Sequence, residues 1–290
     1  MPKLGQHFLI NKKKIKKIIE ALELKKGDTV IEIGPGHGEI TLPLARNFQF
    51  SISNFQIIAI EKDEKLFEHL KKKLNFNKNV AIIHGNALKI LSQITQNSLL
   101  RSSSPEGQLK TQNYKLVGNI PYYITGRLLR ILGELENKPS LIVLTVQKEV
   151  AERLIAQPPK MNLLAASVQF WAKPEIIGYI SKKDFRPVPK VDSAIIKLEA
   201  DRRGSMRIVE ADRRGLEQNY YRLIKILFRQ PRKTILNNIL EAKKRGFMQI
   251  IEADKRGFLT KKLHKIGVNP QDRPQNLTIK QIIKLSSILL

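Results

Sequence analysis

Thr29-Val-Ile-Glu-Ile-Gly-Pro-Gly-His-Gly38 is the stretch whose reading decides the fold. A short β-rich run enters a loop with glycine at 34, 36 and 38, and an apolar, helix-like stretch follows to about Asn47. Glycine at those places lets a backbone turn tightly and approach a ligand closely. Outward from this unit the alternation continues. Gln56–Ile60 reads as a second strand, Asp63–Leu74 as a helix, Val80–His84 as a third strand, Lys115–Gly118 as a fourth and Leu141–Val146 as a fifth. Residues 12–24 set lysines between Ile15, Ile18, Ile19 and Leu22 at helical spacing. Strands alternating with helices specify an α/β fold with a mainly parallel sheet covered on both faces.

Beyond about residue 218 the pattern turns wholly helical, with candidates at 218–228, 232–242, 258–267 and 278–289. The expected division is a sheet domain over 1–198, a linker over 199–217 and a small C-terminal α-helical domain over 218–290. Residues 92–113, rich in Ser, Gln, Asn and Gly, read as an exposed loop. Glu199-Ala-Asp-Arg-Arg-Gly204 recurs as Glu210-Ala-Asp-Arg-Arg-Gly215, with variants at 241–246 and 252–257. Two such pairs are too few for a solenoid, and an element inserted at surface turns is the expectation.

The 290 residues carry 52 Lys and Arg against 26 Asp and Glu, a formal net charge of +26. Such an excess points to a polyanionic partner, nucleic acid before a membrane surface. There is no cysteine, which excludes disulfides, thiolate metal sites and a cysteine nucleophile. The five histidines show no paired metal-ligand spacing, so no metal is expected. Met1–Gln6 lacks the apolar core of a signal peptide, and no apolar run approaches the ~18 residues of a membrane span. A soluble cytoplasmic protein with no membrane attachment is expected.

Two further features carry chemistry. Glu61 closes the second strand, where an acid can accept hydrogen bonds from the ribose hydroxyls of a nucleoside. Loop, acid and strand order together favour an adenosyl ligand over a bare strand-to-helix turn. Asn119-Ile-Pro-Tyr122 follows the fourth strand and should face the same crevice, because ligands of open parallel sheets bind beyond the carboxyl ends of the strands. An Asn oxygen accepts from an amino group, and a Tyr ring stacks on a base. The plainer reading is a proline turn with a buried Tyr.

With these residues in view the chain resembles the ribosomal RNA adenine dimethyltransferases of the small-subunit type. The matching motifs are Leu4-Gly-Gln-His-Phe-Leu9, Glu32-Ile-Gly-Pro-Gly36, Asn119-Ile-Pro-Tyr-Tyr123 and Gln147-Lys-Glu-Val-Ala-Glu-Arg153. Phe185-Arg-Pro-Val-Pro-Lys-Val-Asp-Ser193, Phe228-Arg-Gln-Pro-Arg-Lys-Thr234, Gly267-Val-Asn-Pro270 and Arg273-Pro-Gln-Asn-Leu277 follow in order. The resemblance implies a Rossmann-like methyltransferase domain and S-adenosylmethionine as cofactor. It implies that His7 and Leu9 close over the cofactor, that Gly34 and Gly36 lie under its methionine part, and that Glu61 holds its ribose. Asn86 falls where the family usually has an Asp facing the cofactor adenine, so contact with the adenine amino group is expected; the plainer reading is a turn cap. Asn119 matches the residue that binds the reacting amino group, and Tyr122 and Phe185 match aromatic positions that hold the flipped-out base.

The implied activity is N6-methylation, twice at each of two adjacent adenosines, in the 3′-terminal hairpin of small-subunit rRNA. The implied partner is the assembling small ribosomal subunit, met by a monomer. Two rivals remain: the antibiotic-resistance type acting on large-subunit rRNA, and a non-catalytic RNA-binding factor on the same fold. Arg273–Leu277 favours the small-subunit type over the first, and the presence of both Asn119 and Tyr122 favours an enzyme over the second.

Overall fold

The computed structural model describes residues 6–46, 55–94, 114–201, 210–246 and 256–289. In chain order the elements are β1 (Phe8–Leu9), α1 (Lys12–Glu20), β2 (Thr29–Ile33), α2 (Thr41–Arg46), β3 (Gln56–Glu61), α3 (Glu64–Leu74), β4 (Val80–His84), α4 (Ala87–Ile94) and β5 (Tyr114–Asn119). There follow α5 (Thr125–Glu134), β6 (Leu141–Gln147), α6 (Lys148–Leu154), α7 (Leu163–Gln169), β7 (Ala172–Ile180), β8 (Phe185–Arg186), β9 (Ser193–Ala200), α8 (Glu210–Leu227), α9 (Ile235–Lys244), α10 (Arg256–Lys265) and α11 (Ile279–Leu289).

Seven strands form one sheet in the order β4-β3-β2-β5-β6-β9-β7. The five from β4 to β6 run parallel, while β9 is antiparallel to both β6 and β7. The sheet is the expected α/β type, with an antiparallel edge that the residue pattern did not announce. All five residues of β2 are buried, as a strand covered on both faces requires. The chain runs outward from β2 to β3 and β4, then returns to lay β5 on the other side of β2. Strand order therefore reverses beside β2, and a crevice opens at the carboxyl ends of β2 and β5.

A second, two-stranded sheet pairs β1 with β8, Leu9 opposite Phe185. Both side chains are fully buried in the apolar cluster that includes Ile18, Leu44, Val117 and Ile195. Asn11 caps α1 by accepting from the N–H groups of Lys13 and Lys14, and its amide donates to Asp184 at 2.8 Å. The N-terminal strand is thus fixed at both its pairing edge and its exit.

Two compact units divide the chain: Met1–Glu152 with Ala172–Arg202, and Arg153–Trp171 with Arg203–Leu290. These differ from the expected boundaries, because 153–171 belongs with the C-terminal helices. The reason is packing: Met161, Ala165 and Ala166 share one core with Tyr220, Leu223, Ile239 and Leu263. The Tyr220 hydroxyl donates to the Ala166 carbonyl at 2.9 Å, and the Phe170 and Tyr220 rings stack at 4.1 Å.

The helix expected at 218–228 begins at Glu210, so the second EADRRG copy forms its opening turns instead of a surface turn. The third copy closes α9, with Gly246 in the left-handed conformation (φ 72°) that ends helices. Parts of the first and fourth copies lie outside the described residues, as do Leu4 and Gly5 of the N-terminal motif and 95–113 of the expected 92–113 loop.

Candidate active site

Gly34 and Gly36 continue β2 into the crevice with φ near +64° and +63°, a region costly for side-chain-bearing residues. At Gly34 an added Cβ would point into open space, so backbone strain alone demands glycine there. At Gly36 it would lie 2.9 Å from the Phe8 ring. The glycine loop thus lets the N-terminal strand lie directly upon it.

A cavity of about 250 Å³ lies over this loop. It brings together His7, Leu9, Gly34, Gly36, Glu61, Asn86, Asn119 and Tyr122 from widely separated parts of the sequence. Their order across the sheet follows the strands: Asn86 after β4, Glu61 at the end of β3, the glycine loop after β2, and Asn119 at the end of β5.

Glu61 is buried yet fully engaged with main chain. Its Oε2 accepts the Gly36 N–H at 3.1 Å, and its Oε1 accepts those of Lys62 and Asp63 at 2.8 and 2.9 Å. A carboxylate offers about four acceptor positions, so about one remains for a ligand hydroxyl. Glu32, one strand inward, is 1 % exposed, and its Oε2 accepts the Thr41 hydroxyl at 2.7 Å. Burial pushes its carboxyl up to about 8, with smaller upward contributions from Glu39 and Glu61.

At the β5 end, the Asn119 side-chain amide donates to the His7 carbonyl at 2.8 Å. Its Oδ1 accepts no hydrogen bond among the described residues. The His7 ring in turn donates through Nδ1 to the Pro187 carbonyl at 2.8 Å. It stacks on Tyr122 with centroids 6.0 Å apart. The hydroxyls of Tyr122 and Ser193 share a 2.7 Å hydrogen bond. Burial first, and Asp192 in addition, hold the phenol above its ordinary value against the lowering effect of Ser193, so the ring stays neutral.

One expectation is corrected. Phe185 does not line the cavity; it is 0 % exposed in the apolar cluster beneath β1, paired with Leu9, and has no face to offer a base. Asn86 does line it, and its Oδ1 accepts the Leu88 N–H at 3.0 Å, which is the capping arrangement. Residues the sequence reading passed over also border the cavity: Glu32, Tyr123, which is 68 % exposed, and Arg127. Tyr123 and Arg127 stand four residues apart around the start of α5, and Tyr123 already lay inside a quoted motif. Ser193 closes another motif and acts through Tyr122.

The family model for ribosomal RNA adenine dimethylase matches residues 1–289. The chain belongs to that family. It is 40% identical over 236 residues to ribosomal RNA small subunit methyltransferase A of Dehalococcoides mccartyi, covering 81% of this chain and 72% of the relative. To the protein so named from Caldanaerobacter subterraneus it is 32% identical over 290 residues, 99% and 96% of the two chains. The fold is that of a dimethyladenosine transferase from Plasmodium falciparum (TM-score 0.71, 24% identity, 96% of each chain). It is also that of the 23S rRNA methyltransferase ErmE (TM-score 0.68, 22% identity, 97% and 99%).

Membership makes the chain an S-adenosylmethionine-dependent methyltransferase acting on adenine in ribosomal RNA. The cavity fits that cofactor on its own terms. The open face of Gly34 admits a ligand against the backbone, and Glu61 keeps an acceptor for a ribose hydroxyl. Among the described residues no set of three or more His, Cys, Asp or Glu is grouped to hold a metal ion, and no helix is long and apolar enough to cross a membrane.

Proposed function

We propose that the chain dimethylates the N6 amino groups of two adjacent adenosines in the 3′-terminal hairpin of small-subunit rRNA, as a cytoplasmic monomer acting on assembling subunits. The observation that carries the reading is the orientation of Asn119. Its NH2 is held by the His7 carbonyl, so Oδ1 is the end left for a substrate amino group in the cavity that contains the glycine loop. The names of the relatives support the small subunit as the substrate.

The bound cofactor supplies a methyl group made electrophilic by its sulfonium. The adenine amino nitrogen is a weak nucleophile because its lone pair is delocalised into the ring. Asn119 Oδ1 accepts one N–H and holds the nitrogen so that its lone pair points along the line of attack. Tyr122 would lie against the base, its ring face stabilising the positive charge that develops on the nitrogen as it takes up the methyl group. The surplus proton leaves to water, since a methylated aryl ammonium is strongly acidic. Asn119 and Tyr122 therefore act by position and electrostatics without a strong base. His7 and Leu9 cover the cavity from β1, with Gly34, Gly36 and Glu61 forming its floor.

The test is transfer of tritiated methyl from S-adenosylmethionine to immature small subunits, compared with large-subunit RNA. Incorporation of about four methyls per small subunit, mapped to two adjacent adenosines, is the expected result. Incorporation confined to large-subunit RNA would overturn it.

A further inference from the structure

Two side chains of the cavity have no part in the transfer step. Tyr123 and Arg127 line it beside Asn119 and Tyr122. Tyr122–Ile124 form a single 3-10 turn after Pro121, in which the Ile124 N–H donates to the Pro121 carbonyl at 3.1 Å. Three residues per turn set consecutive side chains about 120° apart. Tyr122 turns inward, half-buried and bonded to Ser193, while Tyr123 turns to the rim with 68 % of its surface exposed.

The protein itself occupies neither rim side chain. Among the described residues Tyr123 packs against no other ring, and its hydroxyl has no hydrogen-bond partner. Arg127 is exposed and makes no ion pair among them, whereas Arg130 on the same helix reaches Glu134 at 3.9 Å. The first turn of α5, where Arg127 stands, holds no acid to offset its charge against the helix dipole. An open ring beside an unpaired guanidinium suits a nucleotide: the ring takes the face of a base, and the guanidinium takes a phosphate.

We propose that Tyr123 and Arg127 form a second nucleotide subsite, for the residue joined to the target adenosine in the RNA strand. The subsite rests on the proposed function. An adenosine whose amino group reaches Asn119 has been drawn out of its stack. Its neighbour has then lost a stacking partner and is tethered at the rim by one phosphodiester. Tyr123 supplies the missing face, and Arg127 pairs with the linking phosphate. Sequence-tolerant stacking suits a strand in which two adjacent bases are presented in turn. The subsite acts on capture and register, and leaves the methyl transfer itself to Asn119 and Tyr122.

The test uses small subunits reconstituted with rRNA whose 3′-terminal segment is synthetic, either intact or with an abasic nucleotide in place of one of the two adenosines. The full chain is compared as wild type, Tyr123→Ala, Tyr123→Phe and Arg127→Ala. On the intact substrate Tyr123→Ala should raise KM about tenfold with kcat near the wild-type value, as expected for one lost base stack. Tyr123→Phe, which keeps the ring, should restore most of the loss. On the abasic substrate the wild type should fall to the level of Tyr123→Ala, and Tyr123→Ala should lose nothing more. Losses that multiply would show that the ring does not meet that base and would overturn the subsite. Arg127→Ala should lower the slope of log affinity against log salt by about one, the signature of one phosphate contact. Its affinity for S-adenosylhomocysteine should match the wild type; a clear drop would give the guanidinium to the cofactor carboxylate and overturn its assignment to phosphate. Absence of transfer from the wild type to the intact subunits would instead overturn the function on which the subsite rests.

Discussion

The two ends of the crevice each carry an asparagine, and they are set in opposite senses. Asn119 gives its NH2 to the His7 carbonyl and keeps its oxygen. Asn86 gives its oxygen to the Leu88 N–H and keeps its NH2. One residue type is thereby held by its NH2 at one end and by its oxygen at the other. The difference lies in the nearest main-chain group: a carbonyl from β1 at one end, an N–H from α4 at the other. Residue identity alone states which hydrogen bonds are available; the neighbouring backbone states which remain.

Substitutions that loosen one end and spare the other test this contrast. The largest effect should come from Phe185→Ala. It empties a buried site beneath Leu9, and removal of a core Phe costs about 3–5 kcal/mol of stability. The melting temperature should fall sharply. A loss confined to RNA affinity at unchanged stability would return Phe185 to the base pocket.

Asn119→Ala should come next, lowering kcat by a hundredfold or more, since one transition-state contact is typically worth ~3 kcal/mol. Binding of S-adenosylhomocysteine should change by less than threefold. Asn119→Asp sharpens the comparison, because a carboxylate cannot donate to the His7 carbonyl; kcat should fall here as well, although the acceptor is retained. Wild-type turnover in either variant would break the assignment of the β5 end.

Tyr122→Ala should weaken capture of the target base by ~1–3 kcal/mol, the worth of one aromatic stack, read as a rise in KM for RNA. Tyr122→Phe removes only the bond to Ser193 and should cost less, about 0.5–1.5 kcal/mol. Equal losses in the two variants would show that the hydroxyl, not the ring, is the important group.

A separate effect, on the pH dependence of stability, concerns Glu32, between the two ends. Its carboxyl is raised from 4.5 to about 8 by burial, so across that window the folded chain holds a proton the unfolded chain has lost. Its contribution is fully present below about 4.5 and is lost as pH rises through about 8, at most about 1.4 kcal/mol per pH unit. Glu32→Gln, which keeps an acceptor for Thr41, should flatten this slope and melt above wild type at pH 8–9. Parallel stability-pH curves for the two proteins would show that Glu32 does not titrate in this range.

The parallel half of the sheet was legible because each of its strands is a short apolar run bounded by turn residues. The antiparallel edge was not. In β7 and β9, Lys173, Glu175, Lys197 and Glu199 interrupt the apolar residues, and the pairing is recognisable only once β6 is in place. The two-residue β1 is too short to show a period, so nothing local tied Leu9 to Phe185. Motif content named Phe185 as a site residue, but it does not record which way a side chain faces. Similarly, α7 reads as part of the sheet domain by position along the chain and joins the helices by contact with Tyr220.

The hold on Asn119 comes from a carbonyl, which every residue possesses. Alanine scanning would pass over position 7 in this respect, scoring the imidazole while leaving the latch in place. Clipping the first eight residues, by a protease or by cloning, deletes the latch at a stroke while sparing the glycine loop and Glu61. Such a shortened protein should still bind the nucleoside and transfer nothing, a dead-end species that a ligand-binding screen would pass as intact.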